Sequence, residues 1–178
     1  MSILIIDYGG PTVYKIHEKL AELETTSILI KPDHISHPED IKGIILSGGP
    51  DHVYHEDSRQ LPKWIDQVNV PILGICYGMQ LICKYLKAKV IPQPEIEHGH
   101  TLIRSIEKDI LLGEFTEDIV WMNHHDTVVD IPKDLTVTSF SQNGYVSSVT
   151  NGKWWGVQMH PESTIGSDIF KNFLIICG

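Results

Sequence analysis

The first half of the chain alternates short, continuous apolar runs with stretches whose apolar residues recur at helical spacing. One such stretch places Val13, Ile16, Leu20 and Leu23 on one face of a helix. Continuous apolar strands, rather than alternating ones, are typical of a parallel sheet that is covered on both faces. The pattern predicts strands at 3–7, 27–31, 43–47 and 70–75, and helices at 12–23, 58–68 and 77–86.

The pattern changes near Lys89, where closely spaced strand-like segments replace the alternation of strands and helices. Asn143-Gly144 and Asn151-Gly152 are typical of tight turns between antiparallel strands. We expect an α/β fold in a single domain over 1–178, with a mostly parallel central sheet, helices on both faces and an antiparallel, strand-rich C-terminal half. The later segments predict strands at 101–106, 118–122, 136–141, 145–150 and 153–159, and a closing helix at 167–176.

Composition narrows the class of protein. A formal net charge of −9 disfavours binding to the phosphate backbone of a nucleic acid. No apolar stretch approaches the length of a membrane span, and the apolar start of the chain is too short for a signal peptide. The 3 cysteines show no disulfide framework and suit a reducing compartment. We therefore expect a cytoplasmic protein that binds neither nucleic acid nor a membrane.

Cys76 is framed by glycines in the segment Gly74-Ile-Cys-Tyr-Gly78, between a predicted strand and a predicted helix. Such glycines permit the sharp turn that lifts a nucleophile clear of the backbone, so we expect a positive φ or another sparsely populated conformation at Cys76. The N-terminus of a helix also favours a thiolate. Cys83 and Cys177 lack this frame and are interpreted as ordinary buried thiols.

A candidate base lies far downstream, in the segment His160-Pro161-Glu162 at the end of a predicted strand. In an extended segment, residues two positions apart point to the same side, so Glu162 can reach the imidazole of His160. Pro161 stiffens this spacing because its ring fixes φ. Cysteine, histidine and carboxylate together form the arrangement of nucleophile, base and orienting group that covalent catalysis uses.

Gly48 and Gly49 end another predicted strand, in the segment Ser47-Gly-Gly-Pro50. Backbone N–H groups in such a turn can face a reacting carbonyl, although an ordinary strand-to-loop turn has the same pattern. The segment also resembles the phosphate loop of ATP pyrophosphatases, but His52 stands where that loop has its final serine, and we reject a nucleotide site. Ligands of such sheets collect at the carboxyl ends of strands, where Gly49 and Cys76 both fall.

The 10 histidines invite a metal-site interpretation. Outside the motifs, His98 and His100 form one close pair, and His124 and His125 form another. Neither pair lies near a cysteine cluster or has the His-x-x-x-His spacing of a helical metal site. We predict that the chain binds no metal ion.

Three motifs, in their order and spacing, resemble the class I (triad-type) glutamine amidotransferases: SGGP at 47–50, GICYGMQ at 74–80 and HPE at 160–162. The resemblance covers nearly the whole chain and implies a flavodoxin-like fold. It also implies that Cys76 attacks the glutamine carboxamide, with His160 as acid and base and Glu162 as its orienting group. The backbone N–H groups of Gly49 and Tyr77 would form the oxyanion hole.

Two further segments are similar to the glutaminase part of GMP synthase: Val53-Tyr54, and Val-Trp-Met-Asn-His-His-Asp-Thr-Val at 120–128. The Arg-Tyr-His-Ser-Leu type of segment found in anthranilate synthase glutaminases is absent. Gly10 and His98 depart from the residues that are usual in the family. The resemblance implies that glutamine is contacted by Gly48, Gly49, Gln80, His124 and Asp126.

The resemblance implies a glutaminase that supplies ammonia to a separate ATP-pyrophosphatase subunit, which converts XMP to GMP. ATP and Mg²⁺ are then expected on that partner, and no cofactor is expected in this chain. Two alternatives stay open: the glutaminase of another synthase or a free-standing glutamine hydrolase, and a non-catalytic, glutamine-binding regulator. The intact triad disfavours the regulator.

The segment 123–126 is our candidate relay between the partner and the glutaminase site, because it lies within the stretch similar to GMP synthase. We do not expect the core to need its polar residues, and we expect His124 and Asp126 to lie near the glutamine pocket or the partner face. A surface loop without a role is the alternative.

Overall fold

The structure, a computed structural model, describes residues 2–114 and 116–178. Its strands form one nine-stranded sheet, and short 3₁₀ turns occur at Ile65–Gln67 and Pro161–Ser163. The strands are β1 (Ser2–Ile6), β2 (Ser27–Ile30), β3 (Ile41–Leu46), β4 (Ile72–Ile75), β5 (Lys89–Ser105), β6 (Glu117–Val129), β7 (Thr136–Ser141), β8 (Val146–Thr150) and β9 (Trp154–Val157), and the helices are α1 (Val13–Glu22), α2 (Tyr77–Tyr85) and α3 (Ile169–Cys177).

The strand order is β2-β1-β3-β4-β9-β8-β7-β5-β6. Neighbouring strands run parallel from β2 to β9 and antiparallel from β9 to β6. The prediction of a mostly parallel sheet therefore holds for one half only, since the later strands extend the same sheet instead of forming a separate layer. Both predicted Asn-Gly turns are confirmed: Gly144 and Gly152 have φ of 83° and 82° and join antiparallel neighbours.

The core lies on both faces of the sheet, as predicted. Alternation along β1 sends Ile3 and Ile5 to the face covered by α1 and α3, and Leu4 and Ile6 to the face covered by α2. Burial on both faces explains why the strands of this half read as continuous apolar runs. No helix in the described ranges is long and apolar enough to cross a membrane.

The largest difference between the predicted and the observed strands is a long two-stranded ribbon formed by β5 and β6. The strands expected at 101–106 and 118–122 are only parts of this ribbon, which pairs antiparallel along most of its length. Exposed polar residues such as His98 and Asn123 interrupt the apolar pattern, so the pattern missed the continuation. Because β6 is the last strand in the sheet order, it forms an edge of the sheet.

The helix predicted at 58–68 is wrong. Apart from the 3₁₀ turn at Ile65–Gln67, this segment has no helical structure. Pro62 lies inside the predicted helix, where it lacks an N–H to donate and its ring crowds the preceding turn. The apolar residues that suggested a helix, among them Trp64 and Val68, are nevertheless buried.

Candidate active site

Cys76 lies between β4 and α2 with φ of 52° and ψ of −107°, a conformation that side-chain-bearing residues rarely adopt. The expected strained turn at this residue is confirmed. The flanking glycines are required because backbone packs directly on backbone. A Cβ at Gly74 would lie 2.5 Å from the carbonyl carbon of Gly78, and a Cβ at Gly78 would collide with the carbonyl oxygen of Leu46. The turn thus presents the Cys76 side chain at the N-terminus of α2.

His160 follows β9, and Glu162 lies in the 3₁₀ turn that begins at Pro161. Nδ1 of His160 is 2.7 Å from Oε1 of Glu162, and the two side chains are 11% and 1% exposed. The sequence predicted this pair through an extended segment, whereas the structure forms it across a 3₁₀ turn. Proline favours such a turn because its fixed φ suits the first helical position.

Two opposing effects act on the pKa of His160. Burial lowers it by disfavouring the imidazolium, but Cys76 and Glu162 together raise the pKa of His160 from 6.5 to about 10. Nε2 of the ring is buried and has no hydrogen-bond partner within the described residues. The thiol of Cys76 donates instead to the carbonyl oxygen of Asn123, with Sγ and O 3.7 Å apart. Among the described residues, no other protein group therefore competes with Cys76 for Nε2 of His160.

Thr12 is an unpredicted member of this site. Its hydroxyl donates to Oε1 of Glu162 at 2.7 Å, so one carboxylate oxygen of Glu162 serves both Thr12 and His160. Thr12 directly precedes α1, at the other end of the chain from Glu162. No motif pointed to this residue, because a contact across 150 positions leaves no local pattern in the sequence.

Gly48 and Gly49 follow β3 and lie against the catalytic side chains. A Cβ at Gly48 would lie 3.1 Å from Cε1 of His160 and 3.7 Å from Cβ of Cys76. A Cβ at Gly49 would lie 2.7 Å from a backbone carbonyl oxygen, so a larger residue does not fit without a shift of the backbone. Tyr77 is the first residue of α2, where an N–H has no acceptor within the helix. Both predicted oxyanion donors line the same cavity as Cys76, and their role stays a prediction.

A cavity of about 440 Å³ lies where β3 and β4 end, and its size is usual for a small-molecule site. Glu162 does not line this cavity and lies behind His160. The other predicted site residues all line it: Gly48, Gly49, Cys76, Tyr77, Gln80, His124, Asp126 and His160.

Asp126 lines the cavity, but the protein itself occupies its carboxylate. Oδ2 lies 2.6 Å from Nδ1 of His52, and Oδ1 accepts a hydrogen bond of 3.0 Å from the hydroxyl of Tyr54. Asp126 therefore ties β6 to the loop that follows β3. His124 and Asp126 line the cavity, where they were expected, but both are only 3% exposed and so belong to the packed interior.

His124 is held by a second buried network. Its Nε2 lies 2.7 Å from Oε2 of Glu97, and its Nδ1 lies 2.9 Å from the carbonyl oxygen of Asp126. Both ring nitrogens thus face acceptor oxygens. Burial raises the pKa of Glu97, but hydrogen bonds from His124 and Asn143 bring it below its usual value. The network fixes the wall of the cavity that β6 provides.

Gln80 also has a protein partner. Its amide Nε2 donates to Oε1 of Gln158 at 3.2 Å, and both side chains are buried. Gln158 was not predicted, although it lies two positions before His160, just after β9. Glu97 was not predicted as a site residue, and its pairing with His124 depends on the register of β5 and β6.

The histidine pairs do not converge on a metal site. His98 and His100 each pack edge-on against the ring of Trp121, with ring centroids 5.6 and 5.3 Å apart. Within 2–114 and 116–178, no group of three or more His, Cys, Asp or Glu is arranged to hold a metal ion.

Comparison with known proteins shows which family this chain resembles. The sequence model of the family "Glutamine amidotransferase class-I" matches residues 4–177. The chain is 39% identical over 183 residues to a glutamine-hydrolysing GMP synthase of Petrotoga mobilis, with 99% of this chain and 36% of that protein covered. It is 40% identical over 184 residues to the Bacillus subtilis enzyme of the same name, covering 97% and 35%. The chain thus spans about a third of the length of these relatives.

Solved structures agree on the fold. A Thermoplasma acidophilum protein, provisionally assigned as one of the subunits of GMP synthase, superposes with a TM-score of 0.88 at 29% identity, covering 99% of this chain and 94% of that one. A glutamine amidotransferase of Thermotoga maritima has a TM-score of 0.77 at 22% identity, covering 98% and 81%, which shows the shared fold alone.

Proposed function

Because the chain belongs to the class I glutamine amidotransferase family, we propose that it hydrolyses L-glutamine through a thioester on Cys76. One observation carries this proposal: Cys76 stands on a positive-φ turn beside the buried pair of His160 and Glu162. That arrangement supplies a nucleophile, a base and an orienting carboxylate within a cavity of suitable size.

The chemistry follows from the positions of these groups. The thiol of Cys76 transfers its proton to Nε2 of His160, and the sulfur attacks the carboxamide carbon of glutamine. The N–H groups of Gly49 and Tyr77 stabilise the resulting oxyanion. The imidazolium then protonates the leaving nitrogen, so ammonia departs and a thioester remains. His160 next removes a proton from water, which attacks the thioester and releases glutamate and the thiol.

We propose that the ammonia serves a synthetase unit with ATP-pyrophosphatase activity, which binds ATP and Mg²⁺ and converts XMP to GMP. Two facts support this partner: the relatives whose alignments cover almost all of this chain are glutamine-hydrolysing GMP synthases, and the chain spans only about a third of their length. We expect no cofactor in this chain. We place the reaction in the cytoplasm, where the 3 free cysteines suit reducing conditions.

We further propose that β6 couples the partner to the glutaminase site. The carbonyl of Asn123 accepts the thiol proton of Cys76, and Asp126 holds the loop that follows the oxyanion turn. A shift of β6 would therefore reach both the nucleophile and the oxyanion donors. Because β6 is an edge strand, a partner has access to it.

The test of the leading function is glutaminase turnover with and without the synthetase unit, XMP and ATP-Mg²⁺. We expect stimulation only when all components are present. Stimulation by a different synthase, or none by any, would favour the glutaminase of another enzyme or a free-standing hydrolase. A glutamine-analogue alkylator should label Cys76 with one equivalent, whereas failure to label the wild type would favour a non-catalytic regulator.

The coupling is tested by comparing Asp126→Ala with Glu117→Ala, an exposed position at the other end of β6. Each variant is scored as its stimulated turnover divided by its own resting turnover. We expect this ratio to fall for Asp126→Ala and to stay at the wild-type value for Glu117→Ala. Equal ratios in both variants would exclude the relay.

A further inference from the structure

Thr12 stands where a helix is normally capped, yet its hydroxyl does not cap α1. It is the residue directly before the helix, and threonine at this position usually accepts a hydrogen bond from an N–H of the first turn. Here the side chain makes no cap hydrogen bond and donates instead to Oε1 of Glu162 at 2.7 Å. The hydroxyl thus gives up the usual helix-capping hydrogen bond and contacts a residue of the site instead, a departure from local preference that is typical of functional sites.

The receiving carboxylate has few other constraints. Glu162 is 4% exposed, and its Oε1 faces both Nδ1 of His160 and the hydroxyl of Thr12 at 2.7 Å. Its Oε2 is buried and has no hydrogen-bond partner in the described part of the chain. In the described part of the chain, Thr12 is therefore the hydrogen-bond donor besides His160 that holds this carboxylate in place.

We propose that Thr12 is a positioning residue of the glutaminase site, which holds Glu162 in the orientation that supports the imidazolium form of His160. This inference rests on the proposed function, since it assigns Thr12 a part in the same reaction. Thr12 itself acts through Glu162 and need not touch the reacting atoms. The start of α1 thereby contributes to the same site as the residues that follow β4 and β9.

The consequence is a dependence of thiol reactivity on Thr12. In the described residues, the titratable groups that act on the imidazole are Cys76 and Glu162. A carboxylate that loses one of its two donors and is free to rotate supports the imidazolium less well, so the pKa of His160 should fall. The thiolate of Cys76 then loses part of its stabilisation, and its alkylation should require a higher pH.

The experiment compares Thr12→Val, which keeps the shape and removes the hydroxyl, with Thr12→Ser, which keeps the hydroxyl. Thr25→Val, at a half-buried threonine beyond the other end of α1, is the matched control. Alkylation of Cys76 by iodoacetamide is followed by mass spectrometry across pH, alongside kcat and KM for glutamine and the melting temperature. Alkylation needs no glutamine turnover, so it tests Thr12 even if the wild type hydrolyses no glutamine and the proposed function fails.

We expect Thr12→Val to shift the alkylation profile to higher pH and to lower kcat about tenfold with little change in KM, as loss of a hydrogen bond to a charged group implies. Thr12→Ser and Thr25→Val should match the wild type in both measurements. An unshifted alkylation profile in Thr12→Val would overturn the proposal, whatever happens to the melting temperature. A loss confined to KM would also overturn it, because it would make Thr12 a substrate contact.

Discussion

The parallel and antiparallel halves of the sheet differ in which side chains they bury. In the parallel half, β1, β3, β4 and β9 are buried along most of their length and carry almost only apolar side chains. In the antiparallel half, the β5–β6 ribbon alternates buried and exposed positions, exposing Ile119 while burying the polar pair of Glu97 and His124. The first half is a packed scaffold, whereas the second carries a polar network through the core.

The difference follows from how each half is covered. Strands packed on both faces have no room for reactive groups, so Cys76 and His160 appear only where β4 and β9 end. A ribbon at the edge of a sheet has one solvated face, and its inner face forms the wall of the cavity. We infer that the parallel half sets the chemistry and that the ribbon sets access and coupling.

The largest expected effect tests the assignment of chemistry to the parallel half. Cys76→Ala should abolish glutamine turnover and leave the fold intact, because no neighbouring group can form the thioester. Cys83→Ala is the control: this thiol is fully buried in α2, where burial raises its pKa to about 12, and turnover should persist. Turnover in both variants would show that the nucleophile is assigned wrongly. Circular dichroism checks that both variants fold.

A graded loss is expected within the pair that follows β9. His160→Asn should lower kcat by about 10³- to 10⁴-fold, because histidine moves protons in both half-reactions. Glu162→Gln should cost less, about 10²-fold, since the carboxylate only orients and stabilises the ring. Steady-state kinetics at one pH checks the order. A larger loss for Glu162→Gln than for His160→Asn would contradict these roles.

Two carboxylates of the ribbon contrast a buried contact with an exposed one. Glu97→Ala leaves Nε2 of the buried His124 without its hydrogen-bond partner and should lower the free energy of unfolding by about 2 kcal/mol. Glu117→Ala breaks a pair with Arg104 that is more than half exposed and should cost less than about 1 kcal/mol. Urea denaturation measures both. Similar losses would mean that the buried network does not hold the ribbon.

The two halves should also differ in how their stability depends on pH. The folded pKa of His160 is raised from 6.5 to about 10, so its contribution to stability is fully present below pH 6.5 and is lost as pH rises towards 10. The folded pKa of Glu97 is lowered, so its contribution is present above its usual value of 4.5 and is lost as pH falls further. Urea denaturation across pH should show His160→Asn losing the alkaline slope and Glu97→Ala losing the acid slope. Unchanged slopes would contradict both assignments.

Local patterns in the sequence predicted much of this arrangement. The apolar runs predicted β1 to β4 to within a few residues, the glycines around Cys76 predicted its strained turn, and the Asn-Gly pairs predicted two hairpins. The helix at 58–68 failed because apolar spacing took no account of Pro62. The ribbon was underestimated because exposed polar residues on a strand resemble a loop in the sequence.

The sequence by itself therefore determined the turn at Cys76, the helices on both faces and the pairing of His160 with Glu162, because each depends on residues close together in the chain. The tertiary structure alone decided the contacts of Thr12 with Glu162, Glu97 with His124 and His52 with Asp126. These join segments 150, 27 and 74 positions apart. Side chains so far apart meet only through strand order and register, which no local periodicity encodes.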